Sequence, residues 1–314
     1  MSAFLHYLSL LAPMFALSAL GYALGRLPPW RRSWTTTLTR LVFAVPLPAL
    51  LVSLLSDLSS MPPVDARLLL AFFGSCFIVF GVGRVVGKLG FGLDGVGQSV
   101  FALAGVFSNN VLLGVPLARV ALGPEAMPSV ALILVFNALT LWTLVTVSIE
   151  WARHGAFSLS GIGSMLRGVL TNPIIVAILA GTLLGLSGLR LPAPATVVLS
   201  ALGSVAGPLA LIVLGLGISE YGVRQGLAQG LVMTGLKLLV QPLVIWGLAV
   251  ALGLPPLERH AIVLLGSLSV GVNVYLVATQ FQTLESAVAS SMVLSTALAA
   301  VTTPLLLAIQ SALG

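Results

Sequence analysis

Ten stretches of about 20 predominantly apolar residues run through this chain of 314 residues, and each is long enough for one helix across a bilayer. They lie at 4–25, 36–56, 66–89, 96–121, 126–150, 169–188, 195–218, 228–252, 259–281 and 286–310. The links between them are short and carry helix breakers: Pro28-Pro29, Pro62-Pro63, Gly123-Pro124, Pro192 with Pro194, and Pro255-Pro256. With 58% hydrophobic and 7% charged residues, the chain cannot clothe a water-facing surface, which takes roughly 25% charged residues. The expected fold class is an all-α polytopic membrane protein with ten transmembrane helices. Met1 to Leu11 has no basic n-region and reads as the start of the first span, not as a cleaved signal.

The net charge of +6 is spread one to three residues per link, with no basic face of the kind that binds nucleic acid. Arg26, Arg31, Arg32, Arg40, Arg84, Lys88, Arg153, Arg167 and Arg224 lie near the links that follow odd-numbered spans. Arg67, Arg119, Arg190 and Arg259 lie on the other side, and Lys237 lies inside a span. The positive-inside rule then places the first group in the cytoplasm and both termini outside it, in a cytoplasmic membrane. The single cysteine, Cys76, reads as a buried small hydrophobe. The three histidines, His6, His154 and His260, share no spacing, so no metal site and no cofactor are expected.

An offset of 160 relates the two halves. It carries Pro13, Gly21 and Gly25 onto Pro173, Gly181 and Gly185, and it also carries Pro48 onto Pro208 and Gly87 onto Gly247. A duplication with five spans per half makes the halves inverted, at 1–155 and 156–314. That is an architecture of secondary transporters.

Within span 4 stands SNNVLLGVPL, from Ser108 to Leu117. Pro116 removes a helical hydrogen bond, Gly114 eases the backbone, and Asn109 and Asn110 donate and accept with their side chains. An unpaired backbone group in lipid costs several kcal/mol, so such a break survives only where protein or a water-filled cavity satisfies it. Adding 160 to Asn109 lands on Ser269, in a second polar stretch that holds Gly266, Ser267, Gly271 and Asn273. Weak helices at matching positions of inverted halves point to a binding site near the midplane. Small residues also serve merely to let helices approach, and for a lone Gly-x-Pro that would be the better reading.

At these residues the chain resembles the auxin efflux carrier family, which includes bacterial malonate-type carriers and plant auxin exporters. Asn109, Gly114, Pro116 and Leu117 match the family's pattern in span 4, and Asn273 with Ala278 match the pattern in span 9. TNP at 171–173, KLLVQPL at 237–243 and LST at 294–296 are similar in place and type. Ser269 departs from the family, whose members commonly carry a proline near that point. The resemblance covers essentially the whole chain. It implies two inverted five-helix repeats with spans 4 and 9 crossing at their breaks, and a scaffold of spans 1, 2, 6 and 7 beside a mobile bundle. It further implies a homodimer and organic-anion substrates, chiefly carboxylates.

Other polar residues divide between roles. Lys237 is either an attractor for an anion or a lysine snorkelling to the cytoplasmic interface. Asn137 is either site lining or a hydrogen bond between helices. Asn172 and Pro173 fit the N-cap and first position of span 6, and Gln241 and Gln280 are candidate polar lining. No carboxylate falls well inside a predicted span.

The expectation is a secondary transporter that moves a small organic anion, an auxin-like acid or a dicarboxylate, by alternating access. A proton or sodium ion would be the coupling ion. The binding residues would be Asn109, Asn110, Gly114, Pro116, Asn137, Lys237, Ser269, Gly271 and Asn273. The alternative is a sodium-coupled symporter of bile-acid type. An intramembrane enzyme would need a nucleophile–base pair or metal ligands at depth, and the sequence offers neither. A sensor acting through a partner, or a passive channel, would share the same composition.

Overall fold

The structure is a computed structural model that describes residues 2–27, 32–56, 64–154, 172–189, 191–220 and 226–313. Among these residues the secondary structure is helical except for one isolated antiparallel β-bridge, Ser108 to Val270. The helices are α1 (Ser2–Arg26), α2 (Arg32–Ala44), α3 (Pro46–Ser56), α4 (Arg67–Phe91), α5 (Gly95–Ala104), α6 (Val115–Leu122) and α7 (Met127–His154). There follow α8 (Pro173–Ser187), α9 (Ala193–Ser219), α10 (Leu227–Gly235), α11 (Gln241–Ala251), α12 (Pro256–Gly266), α13 (Val272–Gln280) and α14 (Glu285–Leu313). Arg31, Arg167, Arg190, Arg224, Thr171 and the Pro28-Pro29 and Pro62-Pro63 links, all used in the sequence reading, lie outside the described residues.

Among the described residues, seven helical stretches are long and apolar enough to cross a membrane: Ala3–Arg26, Ser33–Ser56, Arg67–Phe91, Pro124–Arg153, Ala193–Ser219, Leu227–Ala251 and Glu285–Ala312. Each of the ten apolar stretches is largely helical among the described residues; span 2 turns at Val45, between α2 and α3, and three others depart further from a single long rod. Spans 4 and 9 are each divided in two, and span 6 is described only as the shorter Pro173–Ser187. Large apolar side chains face outward, Leu183, Leu186 and Val197 among them, each about two-thirds exposed. In a bilayer that surface meets acyl chains rather than water.

Local chemistry sets the helix starts. Asn172 caps α8 as the sequence predicts, its Oδ1 accepting from the Ile174 N–H at 2.9 Å with Pro173 at the first position. Asp94 caps α5 by accepting from the Gly97 N–H at 2.8 Å.

α1 packs on α9, and α8 packs on α3. A methyl carbon on Gly21 would stand 3.0 Å from the Ile212 Cα, and one on Gly181 would stand 3.0 Å from the Val52 Cα. Gly21 and Gly181 differ by 160, as do Val52 and Ile212. Each glycine therefore packs on the matching backbone position of the other half, Gly21 more tightly, where the methyl carbon would run into the Ile212 carbonyl oxygen.

Candidate functional site

The two interrupted helices meet at their interruptions. α5 ends at Ala104, and the chain runs extended through Ser108 before a π-turn over Asn110–Gly114 leads into α6. Proline explains the π-turn, because its ring would collide with the carbonyl four residues back and it has no N–H to give. The turn widens, and the Val115 N–H reaches back five residues to Asn110. A second π-turn, Leu236–Val240, precedes Pro242 in the same way, with the Gln241 N–H on the Leu236 carbonyl.

In the second interruption, α12 ends at Gly266 and α13 begins at Val272. The chain breaks there without a proline, so the departure from the family pattern at Ser269 does not restore a continuous helix. Other bonds hold it open. The Asn109 N–H donates to the Ser269 carbonyl at 3.0 Å, and the Gly271 N–H donates to the Phe107 carbonyl at 2.8 Å. The Val270 N–H donates to Ser295 Oγ at 3.0 Å, in the LST stretch of α14. The two backbone bonds exchange under an offset of 162, so the register at the break is two residues longer than the 160 that relates the helix starts. Asn109 is thus opposed in role by Gly271, not by Ser269.

Around this junction lies a cavity of about 60 Å³. Of the nine residues expected at the site, Asn109, Asn110, Asn137, Gly271 and Asn273 line it. Gly114, Pro116, Lys237 and Ser269 do not, and belong to the packing behind it. Asn110 and Asn137 are joined, Nδ2 to Oδ1, at 3.4 Å. Asn109 Nδ2, Asn110 Oδ1 and Ser108 Oγ are buried with no protein partner. Buried polar atoms of this kind call for a ligand or water.

The sequence reading missed two polar members of the lining, Ser108 and Asn172. Asn172 was read correctly as a cap, but the cap also faces the cavity. It also missed the apolar wall of Phe43, Phe107, Leu134 and Ile178, because the approach of α2, α7 and α8 has no local signal.

Among the described residues, no Lys, Arg, Asp, Glu or His is part of the lining. Its electrostatics come from backbone and amides. First-turn residues of three helices converge there: Asn110 of the stretch Asn110–Leu122, Val272 and Asn273 of α13, and Ile174 and Ile175 of α8. A helix N-terminus carries about half a positive charge, so three of them favour an anion without any cationic side chain.

Lys237 is fully buried and does not line the cavity, and its Nζ donates to the Gly266 carbonyl. One turn on, Gln241 Nε2 donates to the Val106 carbonyl at 3.0 Å. Val106 and Gly266 are related by the offset of 160, and each lies where the first half of an interrupted helix ends. Two donors on one helix therefore serve the exposed carbonyls of both breaks. Gln241 is buried and is not cavity lining either, and Gln280 is exposed at the end of α13.

The chain matches the family model described as "Membrane transport protein" over residues 6–307. It is also similar to a protein of Rhizobium meliloti (strain 1021) named "Putative malonate transporter", with 27% identity over 313 residues, covering 96% of this chain and 95% of the relative.

Proposed function

The chain belongs to the auxin efflux carrier family of membrane transport proteins, and from that membership we propose a secondary transporter that moves a small organic anion by alternating access. That it is a multi-pass membrane transporter follows from the family and from the apolar helices. The observation that carries the finer reading is the junction of the two breaks. Among the described residues the cavity is lined by no cation but by five asparagines, Asn109, Asn110, Asn137, Asn172 and Asn273, and by the first turns of three helices. Amide donors and helix N-termini hold a carboxylate, and the apolar wall takes its carbon skeleton.

Size favours a small acid. The cavity holds about 60 Å³, a few times the roughly 10–15 Å³ one water needs on the same measure. That suits a short mono- or dicarboxylate better than the steroid-sized acids of the alternative reading. The relative named for malonate gives the same direction.

The architecture we propose is two inverted five-helix repeats, 1–155 and 156–314, with ten spans. The exchanged contacts of Gly21 with Ile212 and Gly181 with Val52 support it, as do the exchanged bonds at the break. In the proposed cycle one bundle carries the breaks past a scaffold built from α1, α2, α3, α8 and α9. We further propose a homodimer in the cytoplasmic membrane, with both termini outside and a proton or sodium ion coupled to the movement.

The test is charge movement by the reconstituted protein on a supported membrane, with malonate, malate, indole acetate and a bile acid, each with and without sodium. A saturable signal for a small acid is the expected result, and its dependence on sodium or on pH names the coupling ion. A signal for the bile acid alone, and only with sodium, would replace this reading with the symporter.

A further inference from the structure

Next to the asparagine cavity lies a second, larger one of about 240 Å³. The two share the walls Phe43, Leu112 and Val272, so they are neighbours across those side chains. The larger cavity is lined on one side by a single face of α2: Thr35, Thr36, Thr39 and Arg40 stand at helical spacing, and Phe43 follows one turn on. Arg40 has no ion-pair partner among the described residues. Among the described residues one other charged residue lines this cavity, Glu220, which has an interaction of its own.

We propose that this cavity is a capture site for the substrate carboxylate, the step before the asparagine site. The proposal rests on the organic-anion reading above and places its cationic group, which the inner cavity lacks. Arg40 presents a planar set of donors that fits a carboxylate in bidentate fashion, and the Thr39 hydroxyl adds a neutral donor on the same face. At 1.5 Å rise per residue, Arg40 and Phe43 are about 4.5 Å apart along the axis, so an acid held by Arg40 rests against the aromatic partition. A captured anion then trades one strong charged contact for several helix N-termini and amides as it passes Phe43. The absence of a cation in the inner cavity keeps that second site weak enough to release. Arg40 is among the basic residues assigned to the cytoplasmic side, so this is the cytoplasmic mouth.

The experiment combines two readouts. In oriented proteoliposomes with malonate as probe, Arg40→Gln is expected to raise the half-saturating concentration on the cytoplasmic side by about fivefold or more, the loss of one charge-assisted contact. Saturation from the other side stays unchanged, Arg40→Lys recovers part of the effect, and Glu220→Gln lowers the half-saturating concentration. Thr39→Cys is then labelled with an anionic and a cationic thiol reagent of equal size. Labelling is expected to favour the anionic reagent, to lose that preference with Arg40→Gln, and to be slowed by malonate. Unchanged saturation in Arg40→Gln, while wild type transports the acid, overturns the capture site alone. If wild type carries none of the acids, the transport reading fails, and labelling decides the capture site: no preference and no protection by malonate overturn it.

Discussion

The Asn109 backbone N–H donates to the Ser269 carbonyl oxygen at 3.0 Å, joining two residues that stand 160 apart and belong to different interrupted helices. The bond closes two problems together. Each break frees backbone groups that lipid cannot satisfy, and each supplies the partner the other lacks. The pair of breaks is therefore one structural unit, and the small cavity beside it exists because both chains run extended there.

The donors behind the junction give the first prediction. Lys237→Met leaves the Gly266 carbonyl without its partner, and Gln241→Leu does the same to the Val106 carbonyl. Each is expected to destabilise by about 1–3 kcal/mol, the cost of a buried polar group left unmet. Thermal unfolding in detergent should show a lower midpoint for both variants. Lys237 being a plain anion attractor would instead leave stability unchanged or raised.

The exchanged glycine contacts give the second. Gly21→Leu drives a side chain into the Ile212 backbone, and Gly181→Leu drives one into the Val52 backbone. Overpacking of this kind costs about 1–3 kcal/mol or more, and both variants should lose stability, Gly21→Leu the more because its space is tighter. Folded yield and unfolding midpoint measure it. A large loss for one and none for the other would contradict equivalent contacts in the two halves.

A third concerns acid. Hydrogen bonds from Arg67 hold the Asp65 carboxyl below its ordinary range, and Glu258 Oε1 accepts from the Asp65 N–H at 3.1 Å. A depressed folded value gives stability that is present above the unfolded carboxyl range and is lost as pH falls through the folded value. Asp65→Asn should therefore be slightly less stable than wild type at neutral pH and equal to it in strong acid. The pair is solvent-exposed, so the difference is small. Unfolding midpoints across a pH series check this; a gap that widens in acid would contradict it.

Much of this was legible in the sequence because membranes leave few options. Apolar runs of fixed length name the spans, and Asn109, Asn110, Gly114 and Pro116 mark a break that lipid alone would not tolerate. The cap at Asn172 followed from Asn before Pro. What could not be read is what depends on helices meeting in space. Ser269 and Asn109 share an offset, yet the extended chain between Gly266 and Val272 shifts the bonding register by two residues, so Gly271 takes the opposing place. Lys237 looked like a site residue because a lone charge in a span demands a partner. Its partner is a backbone carbonyl on another helix, which no spacing reveals. The apolar wall and Asn172 enter the site only through packing of α2, α7 and α8.

The most direct measurement of the central claim is malonate-driven charge movement by Asn109→Ala and Asn273→Ala beside wild type, with folded protein in the membrane confirmed for each. The account predicts a saturable signal from wild type and a loss of about tenfold or more in both variants, each having lost a hydrogen bond to a charged group. Signals equal to wild type from both folded variants would contradict it.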